Sequence, residues 1–176
     1  VSASRWPEHS LPHETMWLIG HALVMAGVMI RVYSSLYVGG RKNSELVTDG
    51  PFSVVRNPLY VGSFMAMTGL GMLTATLSLT VLLIVAFAVC YFYTVRREEM
   101  YLSRKFSNDY ADYMRRVPRW LPNLSLWSAP PELNVKPYFV LRTIVDGAVF
   151  FLVIPLLEMV CKLREQGTVP TLLTLP

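Results

Sequence analysis

The sequence predicts an all-α, polytopic integral membrane protein, with about four transmembrane helices plus a cytoplasmic amphipathic helix. Three observations carry that reading. Hydrophobic residues fill 53% of the 176 positions and charged residues only 16%, more apolar matter than a soluble core of this length needs. The apolar residues gather in four long runs rather than on one stripe of a helix or in strand-like alternation. The lysines and arginines collect in two of the connecting segments, as the positive-inside rule expects of a membrane protein. The net charge of +4 therefore points to a membrane topology and not to a nucleic-acid partner.

The first 15 residues contain Arg5, Glu8, His9, His13 and Glu14. They lack the charged, apolar and small-residue order of a cleavable signal peptide, so none is expected. Run one covers about Met16 to Val38, interrupted by His21 and Arg31. Arg31 is expected near a span end, with its head group reaching the interface. Run two, about Leu59 to Leu73, is short. The uncharged Thr74-Ala75-Thr76 turn joins it to run three, about Leu77 to Val95, as a tight hairpin. Run four extends from about Pro137 to Val160 and carries Arg142, Asp146 and Glu158. A bilayer core of about 30 Å needs roughly 20 helical residues, so each run is a span or close to one.

Topology follows from the basic residues. The loop between runs one and two holds Arg41, Lys42 and Arg56. The stretch between runs three and four holds Arg96, Arg97, Arg104, Lys105, Arg115, Arg116, Arg119 and Lys136. The other side has Arg5, Lys162 and Arg164. The rich side is expected to be cytoplasmic, with both termini opposite. From Glu98 to about Val117, Leu102, Phe106, Tyr110 and Met114 recur every four residues beside Tyr113, while charged residues fill the other faces. That pattern predicts an amphipathic helix ending at Pro118. Trp120 and Trp127 suit the membrane interface. With no long linker, residues 1–176 are expected to form a single membrane-embedded domain.

Several chemistries are disfavoured. Cys90 and Cys161 sit inside apolar runs without zinc-ligand spacing and read as buried small hydrophobes. His9, His13 and His21 have no partners at ligand spacing, so no metal site is expected. No Ser-His-Asp order, GxGxxG or Walker pattern occurs. Gly69-Leu70-Gly71 reads as a close helix-packing site. Asp146 stands about halfway along run four, where an ionisable group is costly and marks a function by default; Arg142, four residues earlier, offers the alternative of an internal ion pair.

Two polar blocks remain, and the hairpin returns both to one membrane face. The first contains Gly50-Pro51, a turn signal, then Arg56-Asn57-Pro58 leading into run two. Pro58 fits the first helical turn, Asn57 the N-cap, and Arg56 adds positive charge at a helix end that already attracts anions. Arg56 reads equally as an anchor on lipid phosphates. The second block begins Arg96-Arg97-Glu98-Glu99, two acids at a basic boundary, suited to a cationic ligand or to a solvated helix end.

Together the blocks carry a resemblance. Leu46-Val47, Gly50-Pro51-Phe52, Arg56-Asn57-Pro58, Tyr60 and Gly62 follow one motif. Glu98-Glu99, Leu102, Phe106, Tyr110, Tyr113, Arg116-Val117-Pro118-Arg119 and Pro122 follow its partner motif in the same order. The chain thus resembles the membrane methyltransferases that include isoprenylcysteine carboxyl methyltransferase and phospholipid N-methyltransferases. The resemblance spans about residues 44–122 and implies that this is the cofactor-binding core. It implies S-adenosyl-L-methionine as cofactor, with Glu98 on its positive amino-acid end. Leu46, Val47 and Phe52 would line the pocket; Asn57, Pro58 and Tyr60 would close it, Tyr60 also offering a cation–π face to the sulfonium. Arg56 or Arg97 would act catalytically by orienting an anionic acceptor. The implied acceptor is a lipid-like or hydrophobic small molecule bearing a carboxyl, thiol or amine, with no metal and no nucleic acid involved. Asn57 stands where the carboxyl methyltransferases have His, and cannot titrate near neutral pH. Two other readings stay open: an NADPH-dependent membrane reductase of the wider superfamily, and a non-catalytic lipid-binding membrane protein.

Overall fold

The computed structural model describes residues 2–3, 11–41, 44–74, 76–165 and 173–174. Helix α1 runs Leu11–Val38, α2 is the short turn Pro51–Val54, α3 runs Pro58–Leu73, α4 runs Leu77–Arg116 and α5 runs Pro137–Glu165. A 3-10 turn at Leu124–Leu126 lies in the return segment between α4 and α5. The only strands among the described residues are Ser2–Ala3 and Leu173–Thr174, which pair in parallel and bring the two ends of the chain together.

The four apolar runs each became a helix. Three helices, α1, α4 and α5, are long and apolar enough to cross a membrane, and all three expose large apolar side chains such as Leu, Ile, Val and Met. The chain is an integral membrane protein on that ground. The expectation of about four spans is narrowed here. Helix α3 has 16 residues, which at 1.5 Å per residue reach about 24 Å, short of a typical hydrocarbon core.

Helix α3 packs on α1 through small residues. A Cβ at Gly27 would stand 2.4 Å from the Gly62 carbonyl oxygen and 2.7 Å from the Ala66 nitrogen; one at Gly69 would stand 2.5 Å from the Gly20 carbonyl. Without a hydrophobic drive between helices in lipid, such backbone approach supplies the packing. Val24, Val28, Leu70 and Ile154 form the core around it, extending to α5, and Gly147 of α5 meets Val28. Helix α4 joins α3 by a ladder of rings: Phe64 on Phe87 at 5.8 Å, Phe87 stacked on Tyr91 at 3.8 Å, and Tyr60 edge-on to Tyr91 at 4.9 Å.

The expected amphipathic helix does not begin at Glu98. Helix α4 continues through residue 98 to Arg116, 40 residues in all, with a single break at Ser107, where φ is 41° and ψ −109°. The sequence from Val95 to Arg116 holds no proline or glycine, and Arg, Glu, Met and Leu are good helix formers, so nothing stops the helix at the membrane boundary. Past the break, Tyr110, Tyr113 and Val117 are buried against Leu46, Leu102, Phe106 and Met114. Pro118 ends the helix at the expected place.

Three further expectations change. Cys90 is exposed on α4, and the Cys161 side chain lies outside the described residues. Arg142 and Asp146 are both exposed on α5, and no ion pair joins them among the described residues. Arg31 does not reach for the interface: its Nη1 donates to Ser63 Oγ of α3.

Candidate functional site

The two polar blocks fold into one unit. Gly50, with φ 57°, makes the turn into α2, and its N–H donates to the Ser128 carbonyl at 2.7 Å. Ser128 N–H donates to Ser53 Oγ at 3.0 Å, and Tyr113 Oη to the Phe52 carbonyl at 2.7 Å. The Arg56 N–H donates to the Pro118 carbonyl at 2.9 Å, and Asn123 N–H to the Val54 carbonyl at 2.9 Å. Residues 50–57 are thus held against residues 113–128 by backbone groups that must be satisfied once buried. The motif residues between Gly50 and Pro58 shape this clasp.

Asn57 occupies the N-cap position and Pro58 follows as the first helical residue, as expected. The Asn57 side chain does not cap the helix. Its Nδ2 donates instead to the Arg119 carbonyl at 3.2 Å, because the return segment lies closer than the first-turn N–H groups. The Asn57 carbonyl accepts from the N–H groups of Tyr60 and Val61.

Beneath the clasp is a cavity of about 400 Å³, within the range of roughly 300–1,000 Å³ usual for cofactor sites. Leu46, Val47, Phe52, Asn57, Pro58, Tyr60 and Glu98 all line it, as does Arg56. Arg97 does not: it is exposed on α4, turned away by the 100° step between neighbouring helical residues. Arg96 is exposed too and lies over the Phe92 ring at 5.1 Å. The cavity wall also includes Leu102, Tyr110 and Tyr113, motif residues to which the resemblance assigns no site role, and Arg31, Glu45 and Tyr91, which lie outside the motif. Arg31 carried one usable signal, a charge within an apolar run. Tyr91 carried another, its place two turns before Glu98 on the same helix.

The same 100° step separates the two adjacent acids. Glu98 faces the cavity and accepts from Tyr60 Oη at 2.7 Å. Glu99 turns the other way and is buried, bound by Arg119 through two contacts at 3.1 and 2.6 Å and by Arg56 Nη1 at 3.1 Å. The Arg56 contact is ionic without hydrogen-bond alignment, so its buried Nε and Nη1 still lack an acceptor. A buried guanidinium with unmatched donors at a cavity wall is a ready anion partner. At the rim, Arg41 binds Glu45 at 2.8 Å and, by that hydrogen bond, holds the Glu45 carboxyl below its ordinary pKa.

The cavity thus combines a held carboxylate, an aromatic hydroxyl and a cationic wall within a helical membrane protein. The phospholipid methyltransferase family model matches residues 15–109, and the chain belongs to that family. It is 35% identical over 162 residues to the nickel-cobalt-cadmium resistance protein NccN of Alcaligenes xylosoxydans xylosoxydans, covering 92% of this chain and 74% of that protein. It is 34% identical over 161 residues to the cobalt-zinc-cadmium resistance protein CzcN of Cupriavidus metallidurans, covering 92% and 73%. A 108-residue stretch is 32% identical to the protein-S-isoprenylcysteine O-methyltransferase of Schizosaccharomyces pombe, covering 60% of this chain and 44% of that protein. No solved structure matches the chain at a significant level.

Proposed function

We propose that the chain is an S-adenosyl-L-methionine-dependent methyltransferase acting on a lipid-like or hydrophobic small acceptor with a carboxyl, thiol or amine nucleophile. The observation that carries this is the convergence of Glu98, Tyr60, Asn57, Phe52, Leu46 and Val47 on one cavity, in a member of the phospholipid methyltransferase family. Residues 1–176 would then work as one membrane-embedded domain, with the cofactor core at about 44–122. Helix α3 would be a fourth, short span, and the cavity would face the cytoplasm, the side on which the basic residues cluster.

The cavity fits the cofactor's charge pattern. The Glu98 carboxylate, fixed by Tyr60 Oη, would receive the ammonium; the unmatched donors of Arg56 would receive a carboxylate, from cofactor or acceptor. Bound there, S-adenosylmethionine supplies a methyl group on a sulfonium, open to in-line attack. The chain's own part is positioning and the exclusion of water, since such a displacement needs no covalent enzyme intermediate. Tyr60 and Tyr91, edge-on at 4.9 Å, present π surface where a sulfonium is favoured over water. Arg56 orients; Arg97, exposed outside the cavity, is the weaker of the two catalytic candidates.

The relatives named for metal resistance enter here only by setting. Among the described residues, no group of three or more His, Cys, Asp or Glu side chains is placed to hold a metal ion. The test is transfer of radiolabelled methyl from the cofactor into membrane extracts, followed by separation of lipid, protein and small-molecule fractions. Label in the lipid or hydrophobic small-molecule fraction is expected. Absence of label from every fraction, with protein that binds the cofactor, would sink the activity.

A further inference from the structure

We infer that the outer face of α5 is an interface with a second copy of this chain, closed by reciprocal ion pairs between Arg142 of one copy and Asp146 of the other. Helix α5 turns one face to its own fold. Gly147 meets Val28 of α1, and Phe150, Val153 and Ile154 pack in the core with Val24 and Val28. Away from that face stand Tyr138, Arg142, Val145, Val149, Leu152 and Leu156, all exposed. Their spacing alternates between four and three residues, the repeat of a helix that lies along another helix. The apolar members alone decide nothing, because lipid tails satisfy them as well as a protein would.

The charged couple on that face is what lipid does not satisfy. At 1.5 Å per residue, Arg142 lies about 8 Å and Asp146 about 14 Å along α5 from its start at Pro137, against a hydrocarbon half-thickness of about 15 Å. A long Arg stem can lift its head group toward the interface; the short Asp side chain cannot. Neither makes an ion pair or hydrogen bond among the described residues. A base four positions before the acid is also the weaker order for a pair within one helix. An ionisable group in the membrane normally has a partner, because facing lipid without one is costly. A second copy supplies the partner with no further component. Both copies insert in the same direction, so their two-fold axis runs along the membrane normal and the interface is self-complementary. Arg142 of each copy then stands one turn, about 6 Å, from the level of Asp146 of the other, within reach of an extended Arg side chain. Two equal pairs form and no charge is left over. A lipid headgroup or free anion would satisfy Arg142 and leave Asp146 bare. The stripe includes none of the cavity-lining residues, so the interface does not rest on the methyltransferase reading.

The test reconstitutes the full chain in phosphatidylcholine vesicles, with donor and acceptor dyes on separate copies, and follows energy transfer as added lipid dilutes the protein. Transfer by the parent should exceed that of random mixing and fall when excess unlabelled parent competes. Arg142→Ala and Asp146→Ala should each weaken self-association about tenfold or more, as expected for losing two interhelical polar contacts. A mixture of the two variants should associate at least about threefold more tightly than either does with itself. In that mixed pair the remaining Arg142 meets the remaining Asp146 and no charge is stranded. An ion pair inside each chain predicts no such gain. The double variant Arg142→Asp, Asp146→Arg should associate with itself as the parent does and poorly with the parent; it decides the matter if an alanine variant loses its helical circular dichroism. Parent transfer no greater than random mixing at every lipid ratio would overturn the proposal. So would a mixture no tighter than its two components, or a double variant that pairs freely with the parent.

Discussion

Replacing Glu99 with Gln should destabilise the protein more than any other single isosteric change at the site. The Glu99 side chain is 8% exposed and holds two guanidiniums, Arg56 at 11% and Arg119 at 36% exposure. Removing one partner of a buried ion pair costs about 3–5 kcal/mol, because the remaining charge is stranded. Arg119 can turn to solvent, but Arg56 cannot, so the lower end, about 3 kcal/mol, is expected. At roughly 2–4 °C per kcal/mol for a chain of this size, the apparent Tm in detergent should fall by about 6–12 °C. The triple replacement Arg56→Met, Glu99→Leu, Arg119→Met should recover part of that loss, since an apolar substitute strands no charge. Thermal unfolding followed by circular dichroism reads both. A Tm change under about 2 °C for Glu99→Gln would refute the claim that this triad joins the two motif blocks.

Three other predictions follow from the geometry. Tyr60→Phe removes the bond to Glu98 and should weaken S-adenosylhomocysteine binding about tenfold, as expected for a hydrogen bond to a charged group; equal affinity would remove Tyr60 from the site. Arg97→Ala should leave that affinity and the fold unchanged, because the side chain is exposed outside the cavity, and a large loss by calorimetry would restore Arg97 as a candidate. Gly27→Val should destabilise by more than about 1–3 kcal/mol, the usual range for overpacking, since its Cβ would meet backbone atoms that cannot move aside; a folded yield equal to the parent's would contradict the close α1–α3 approach.

The elements were legible where one physical signal dominates. Apolar runs gave α1, α3, α5 and the start of α4 within about five residues of their observed ends, because a long apolar helix has no competing structure in lipid. The break in α4 falls at Ser107 rather than near Glu98, since amphipathic periodicity marks which face is buried and says nothing of where the preceding helix stops. Asn57 shows a second limit. Its residue type and place are right for a cap, yet its partner, the Arg119 carbonyl, lies 62 positions away and belongs to tertiary structure. Arg31 shows a third: a charge near a span end fits both an interface and a cavity, and only the position of Gly62 and Ser63 across the α1–α3 contact separates them. Glu98 and Glu99 were adjacent in the motif, and helical geometry gave them opposite roles, one at the cavity and one in the ion triad.

The central claim is that Glu98 anchors S-adenosylmethionine in this cavity. Isothermal titration of S-adenosylhomocysteine into the detergent-solubilised parent and its Glu98→Ala variant tests it most directly. Saturable binding by the parent, abolished in the variant while its melting profile stays intact, is the predicted result. No binding by the parent at millimolar ligand, or equal affinity in the two proteins, would contradict it.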